Sequence, residues 1–556
     1  MAPSIVHLPN GITLTVTPVF GGIQFKVNDL STHQNVFPPG WTVILNSEDE
    51  EDEHPPNPST AAHTFPDLDA TPRAEVPGPL PKKHHVHRFR RPTLRSDHVF
   101  ISSISNPASN EFRPASSPTR QIAMMLWATL WWYFHQPTPS PYLTTPASAQ
   151  TPEEGRPKGE WRVNINREGI FKGRHLLPKM ERMGLITTED SAVGIDPDDG
   201  VRSSDEGWAH MFISQRSFWQ LDPRIYLFTL PPAQAPSPYP SVSPAHSRPA
   251  SPSKSVRDSE PAPHLGRAST PPGPFASGSH LPTFYPPAPL QYTHTNGTRH
   301  PLRPKPARQG ETVYTRYVPS LGQWLSFRVA SLSLTPVPYR GPSSTPTSTS
   351  TPTHTHTHTP SPSTDAIPTL ASLNFQDRGP ADPNSTSDTM SLTDPQLLTK
   401  WMNDPRVAYS WGSSGPLPHQ TAFLTHCLAS RHSIPLIGLF DGRPFGFFEI
   451  YWVKEDRLAA HLSTCGDFDR GLHVLVGEQE FRGPHRVRVW LSALVHHCFL
   501  ADMRTAGVVM EPRVDNEKLK RYCESIGFYK EREVTFPHKQ SNLMKIQREA
   551  WERPEL

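Results

Sequence analysis

Cysteine is scarce in this 556-residue chain: only Cys427, Cys465, Cys498 and Cys523 occur, none in CxxC spacing. That argues against a disulfide framework or a structural zinc site and suits a reducing compartment. Net charge is scarce too. A formal balance of +2 creates no global field for nucleic acid or an anionic membrane. No apolar run approaches the roughly 20 residues that cross a bilayer; the longest, 122–134, reads as a buried helix. The N-terminus lacks a basic stretch followed by an apolar one, and the final Arg-Pro-Glu-Leu is not a peroxisomal tripeptide. The expectation is a cytoplasmic protein with no membrane span and no nucleic-acid partner.

Apolar residues are also few, 35% of the chain, whereas prolines number 67, far above the usual share of about 5%. Such a composition predicts compact units separated by solvated linkers. The pattern places an N-terminal α+β region at 1–231, with disordered loops at 46–95 and 136–158. A Pro/Ser-rich disordered linker follows at 232–310, then an α+β domain at 311–556 carrying a disordered insertion at 333–390.

Within the first region, 12–16 and 23–27 alternate around Gly21-Gly22 in the manner of a hairpin. Residues 121–135 and 168–185 read as helices, the second closed by Gly184; 161–165 reads as a strand and 208–221 as strand-rich. Whether this region is a degenerate second copy of the C-terminal fold or an unrelated domain stays open. The basic stretch 82–91 reads as solvated charge rather than an anion contact. The Thr/His alternation at 353–358 reads as a solvated repeat rather than a metal site.

The C-terminal domain opens with a strand pair over 312–332, turning at Leu321-Gly322. A helix then starts with Asp394 as cap and Pro395 in the first turn. A second helix spans 418–430. Strands at 435–440 and 445–453 flank the hairpin signal Asp441-Gly442. A strand at 472–476, a helix at 487–500, a strand at 508–510, a helix at 516–526 and two closing strands complete the order.

That order, together with the segment Val514-Asp515-Asn516-Glu517-Lys518-Leu519-Lys520-Arg521-Tyr522-Cys523-Glu524-Ser525-Ile526-Gly527-Phe528, resembles the GNAT acyltransferase superfamily. The resemblance implies a mixed central sheet flanked by helices. The usual Gly-rich phosphate turn is reduced here to Phe481-Arg482-Gly483-Pro484-His485-Arg486, with one glycine. Further segments are similar to the siderophore-biosynthesis branch, which includes hydroxylysine acetyltransferases, mycobactin lysine acyltransferases and fungal hydroxyornithine acyltransferases. They are Trp401-Met402-Asn403-Asp404-Pro405-Arg406, Phe447-Phe448-Glu449-Ile450-Tyr451-Trp452, Gly471-Leu472-His473 and Glu511-Pro512-Arg513.

What the resemblance implies is an acyltransferase that acylates the side-chain hydroxylamine of N5-hydroxyornithine, with acyl-CoA as cosubstrate and no tightly bound cofactor. It puts His473 in place as general base, with Asp515 preferred over Glu511 as its acidic partner. Tyr522 would be the proton donor to the departing thiolate. Arg482, Gly483, His485, Arg486 and Asn516 would hold coenzyme A. Glu511, Arg513 and Trp452 would shape the acceptor pocket, and His461 is a further acceptor-side candidate. Acylation of another amine, such as hydroxylysine or a polyamine, and a non-catalytic scaffold are the alternatives. The acyl group and the oligomeric state are not legible.

Overall fold

The computed structural model describes residues 2–28, 37–48, 86–105, 118–173, 175–188, 211–227, 275, 290–295, 297–344 and 389–556. The histidine repeat at 353–358, basic residues 82–85, and most of the 232–310 and 333–390 segments lie outside these residues.

Alternating burial builds the first sheet. The strands β1 (Ser4–His7), β2 (Thr13–Val19), β3 (Gly22–Val27), β4 (Gly40–Glu48) and β6 (Asp97–Ser105) pair antiparallel in sequence order, and β5 (Val86–Arg88) pairs with β4. Helix α1 (Pro118–Phe134) then crosses over, so that β7 (Arg162–Ile165) runs parallel to β6; β8 (Met211–Ser214) closes the order. Every residue of α1 from Ala123 to Phe134 is buried, as an all-round apolar stretch of helix requires.

Several expectations change here. The first hairpin turns at Phe20-Gly21, because Val19 pairs with Gly22. The stretch at 136–158 is ordered, with two short 3-10 turns and a bridge between Tyr142 and Lys158. The described parts of 46–95 likewise include the end of β4 and all of β5. The single helix expected over 168–185 is instead a 3-10 turn, Gly169–Lys172, followed by α2 (Leu176–Arg182). Pro178 explains the break, since proline fits only the first turn of a helix. Within 208–221, β8 is followed by the short helix α3 (Gln215–Trp219), and α4 (Arg224–Leu227) comes just after. The linker expected at 232–310 ends earlier than that: β9 (Tyr292–Thr295) and β10 (Thr298–Pro301) form a hairpin.

The second sheet repeats the plan of a meander followed by one parallel crossover. Its order is β11 (Thr312–Val318), β12 (Gln323–Val329), β13 (Ser433–Phe440), β14 (Arg443–Trp452), β15 (Arg470–Val476), β16 (Gly507–Met510), β18 (Lys539–Gln547) and β17 (Tyr529–Phe536). Helix α8 (Pro484–Ala501) carries the chain from β15 to the parallel β16. Helices α5 (Asp394–Met402), α6 (Pro405–Trp411) and α7 (Leu417–Ala429) cover the other face, and α9 (Glu517–Ser525) precedes β17. The Asp441-Gly442 turn forms as expected, with φ of 47° and 82° and Phe440 paired to Arg443. Both central residues at positive φ match the right-handed twist of the strands.

The two halves share one core. His7 stacks on Tyr317 at 3.9 Å, and buried His496 on α8 donates from Nε2 to the Trp219 carbonyl at 2.7 Å. Burial, then the charge of Arg316, lowers the pKa of His496 to about 3. The neutral ring can therefore accept the Tyr314 hydroxyl at Nδ1, 2.9 Å away.

Asp394 is not the helix cap; Thr393 is, in a capping box with Gln396. Instead, Asp394 is buried in a bidentate pair with Arg328 of β12, both bonds 2.7 Å, and accepts the Ser331 amide at 2.7 Å. The pair ties α5 to β12 across the long intervening segment. Asp394→Ala would strand the guanidinium in the core, and is expected to cost about 3–5 kcal/mol of unfolding free energy. Urea denaturation checks this, and a loss below about 1 kcal/mol would contradict the buried pairing.

Candidate active site

The sheet splits between β15 and β16. They pair only at Arg470 with Val508 and Gly471 with Val509, and beyond that point the strands diverge. His473 stands two residues past the last pair, and Glu511 immediately follows β16. Side chains bridge the opening that main chains leave: His473 Nε2 lies 2.8 Å from Glu511 Oε1. On the other flank β14 runs antiparallel to β15, and the register sets Glu449 opposite His473. Its Oε2 lies 2.9 Å from His473 Nδ1.

The imidazole is thus held between two carboxylates, with 34% of its side chain exposed. Glu511 is buried and further loaded. Tyr451 donates its hydroxyl to Oε2 at 3.1 Å, and Lys539 Nζ sits 3.6 Å from Oε1. Burial alone would pull the His473 pKa down. The charge of Glu511, then the hydrogen bonds the ring donates to both carboxylates, outweigh it and raise the pKa to about 10. Conversely, burial pushes Glu511 up, but the charge of His473 overrides it and lowers the carboxyl to about 2. Glu449 is lowered as well, burial being overcome by the hydrogen bond to His473.

Aromatic rings wall the array. Tyr451 lies 4.7 Å from the His473 ring, and Trp411 meets it edge-on at 6.3 Å. A Cβ at position 471 would fall 2.0 Å from the Tyr451 ring, so only glycine lets that ring cross β15.

The geometry brings some of the expected site residues together and separates others. His473 is at the split, with both ring nitrogens engaged by carboxylates that favour its charged form. The acids in contact with it are Glu511 and Glu449, and Asp515 is not among them. Asp515 lies in the exposed turn after β16, bonded to Arg513 at 3.1 Å and to the Tyr409 hydroxyl at 2.8 Å. Trp452 faces the other side of the sheet, because it lies an odd number of residues from Glu449 on β14. His461 packs on Phe536 at 4.8 Å.

The expected coenzyme A turn follows β15. Gly483, at φ 114°, precedes α8. Pro484 has no N–H, and the amides of Arg486 and Val487 bond to the Gly483 carbonyl. Arg482 turns back to the Val476 carbonyl at 2.6 Å, and Arg486 donates to Gln323 at 2.9 Å while covering Phe440 and Phe481. His485 contacts the Gly483 position. Asn516 caps α9, accepting the Leu519 amide at 3.1 Å. Tyr522 packs partly buried on α9, and its hydroxyl has no hydrogen bond among the described residues.

Glu449, Tyr451, Lys539 and Tyr409 had no role assigned from sequence. Glu449 left a signal: it is the one acid in the otherwise apolar and aromatic run 445–452. Among the described residues no helix is long and apolar enough to cross a membrane.

Known proteins resemble the chain over this same domain and beyond it. The acetyltransferase (GNAT) domain pattern matches residues 391–536. N5-hydroxyornithine acetylase sidL of Beauveria bassiana is 47% identical, over 97% of this chain and all of that protein. The N(6)-hydroxylysine O-acetyltransferase of Escherichia coli is 48% identical over 28% of this chain and half of that protein. Hydroxyornithine transacylase SID3 of Ajellomyces capsulatus is 33% identical over 50% of this chain and 52% of its own length.

Proposed function

The chain belongs to the siderophore-biosynthesis acyltransferases of the GNAT superfamily, and from that premise we propose that it acetylates the N5-hydroxylamine of N5-hydroxyornithine with acetyl-CoA, forming a hydroxamate. The observation that carries the reading is the Glu449–His473–Glu511 array beside the split strands. The acetyl group is inferred from the name of the sidL relative, which matches nearly the whole chain.

The charged imidazole bears on the choice of nucleophile. An alkylammonium with a pKa of about 10.4 is roughly one part in a thousand uncharged near neutral pH. Such a substrate needs a strong base, and an imidazolium is none. A hydroxylamine is far less basic and arrives with its lone pair free. The site then has mainly to position it against the thioester carbonyl. As the N–C bond forms, the nitrogen becomes acidic enough for a carboxylate of the array to take its proton. Collapse breaks the C–S bond, and the thiolate is protonated by Tyr522. The N-terminus of α8 behind Gly483 and the cations Arg482 and Arg486 are the groups on hand for the pyrophosphate of coenzyme A, the arginines after releasing their present partners.

With purified full-length protein and acetyl-CoA, N5-hydroxyornithine is expected to be acetylated at least about a hundredfold faster than ornithine, from the uncharged fractions alone. Mass spectrometry of the products decides the matter. Equal rates with ornithine, or a preference for N6-hydroxylysine, would replace this reading with another amine.

A further inference from the structure

The sheet face opposite His473 holds a buried arginine with too few partners. Arg470 stands three residues before His473 on β15, so its side chain points to the α8 side. It is 5% exposed, and its Nε and Nη1 lack hydrogen-bond partners among the described residues. Its guanidinium lies 3.1 Å from the centroid of the Trp452 ring, a contact that offers no oxygen to the N–H groups.

Neighbouring buried cations are treated differently. Arg303 is held by both oxygens of Glu455 at 2.6 and 2.5 Å, and Arg224 by Asp222 at 2.6 Å. The carboxylates near Arg470 are committed: Glu455 to Arg303 and His300, Asp502 to Arg504 at 2.8 Å. A buried guanidinium with unmade hydrogen bonds calls for an acceptor from outside the chain.

Arg470 lines a pocket between the sheet, the C-terminal part of α8 and the segment 304–307. Lys305 and Arg431 stand exposed on its walls, Ile434, Leu436 and Ile450 supply apolar surface, and no acidic residue lines it. Its free volume is about 60 Å³, room for a few waters or one small acid group, since a water needs roughly 10–15 Å³ on this measure. A nucleotide does not fit. An amino acid would bring an ammonium group against the cations.

We propose that this pocket binds a small anion, a carboxylate or phosphate without an ammonium group, on Arg470, with Lys305 and Arg431 drawing it in. The site is separate from the split at His473 and does not depend on the acyl-transfer reading.

Calorimetry on the full chain tests it, titrating sodium phosphate and sodium succinate separately with coenzyme A present in excess. Saturable binding of at least one anion is expected, weakened at least tenfold by Arg470→Gln and by the surface pair Lys305→Ala/Arg431→Ala. The anion that binds tells phosphate from carboxylate. If Arg470→Gln lowers the melting temperature too far for use, the surface pair decides. Absence of saturable binding by either anion, binding unchanged in the usable variants, or displacement by coenzyme A would overturn the proposal.

Discussion

Glu511→Gln is expected to lower kcat/KM by about a hundredfold or more, a loss typical of disabling acid–base machinery, whereas Asp515→Asn leaves it within about threefold. The two acids are four residues apart, and both stood as candidates for the same role. Glu511 is buried and accepts from His473, Tyr451 and, more distantly, Lys539. The amide would keep the shape but bring an NH2 group against donors and remove the charge that holds the imidazole protonated. The proton acceptor and the alignment of the ring would be lost together, so kcat should fall more than KM rises. Asp515 is exposed, and its pairing with Arg513 and Tyr409 is of the solvent-screened kind that contributes little. Steady-state kinetics with acetyl-CoA and N5-hydroxyornithine, alongside melting curves to confirm folding, separates the two. Comparable losses in both variants would return Asp515 to the site.

The Glu511–Asp515 choice shows where reading residues in order reaches its limit. His473 was legible through the resemblance carried by Gly471-Leu472-His473, just before the cofactor turn. Its partners were not, because they depend on pairing. The connection from β14 to β15 runs through two 3-10 turns, Val453–Glu455 and Arg457–His461, so no tight turn fixes the register by which Glu449 faces His473. Where a two-residue turn does fix it, at Asp441-Gly442, the turn was legible, and the strands differ from 435–440 and 445–453 only at their ends, running over Ser433–Phe440 and Arg443–Trp452. The acid after β16 depended on where that strand stops: Glu511 continues its direction, while 513–516 turns away with the Asn516 amide bonded to the Arg513 carbonyl. The misread helix at 168–185 had its warning in Pro178. The hairpin at 292–301 did not, because its strands are short, polar and set in proline-rich surroundings.

The His473 ring is expected to stay protonated through pH 8 and to titrate near pH 10, to which the two carboxylates raise it. A ring this charged gives a distinctive pH profile. A free histidine base would impose an acid limb near its ordinary value of about 6.5; here activity should instead persist into alkaline solution and fall as the imidazolium is lost. Stability carries the same signature, with opposite limbs. The raised pKa of His473 stabilises the fold fully below the unfolded value near 6.5, and that contribution fades as pH rises through about 10. The lowered pKa of Glu511 stabilises the fold above its unfolded value near 4.5, and fades as pH falls towards about 2. The array therefore contributes most between roughly pH 4.5 and 6.5, while the chemistry it supports extends higher, because the substrate nitrogen must be uncharged and the imidazole charged at once. Nitrogen-15 NMR of the histidine rings, assigned with His473→Gln, reads the midpoint directly. A His473 ring found neutral at pH 8 in the folded protein would restore the simple base and remove the charged array from the mechanism.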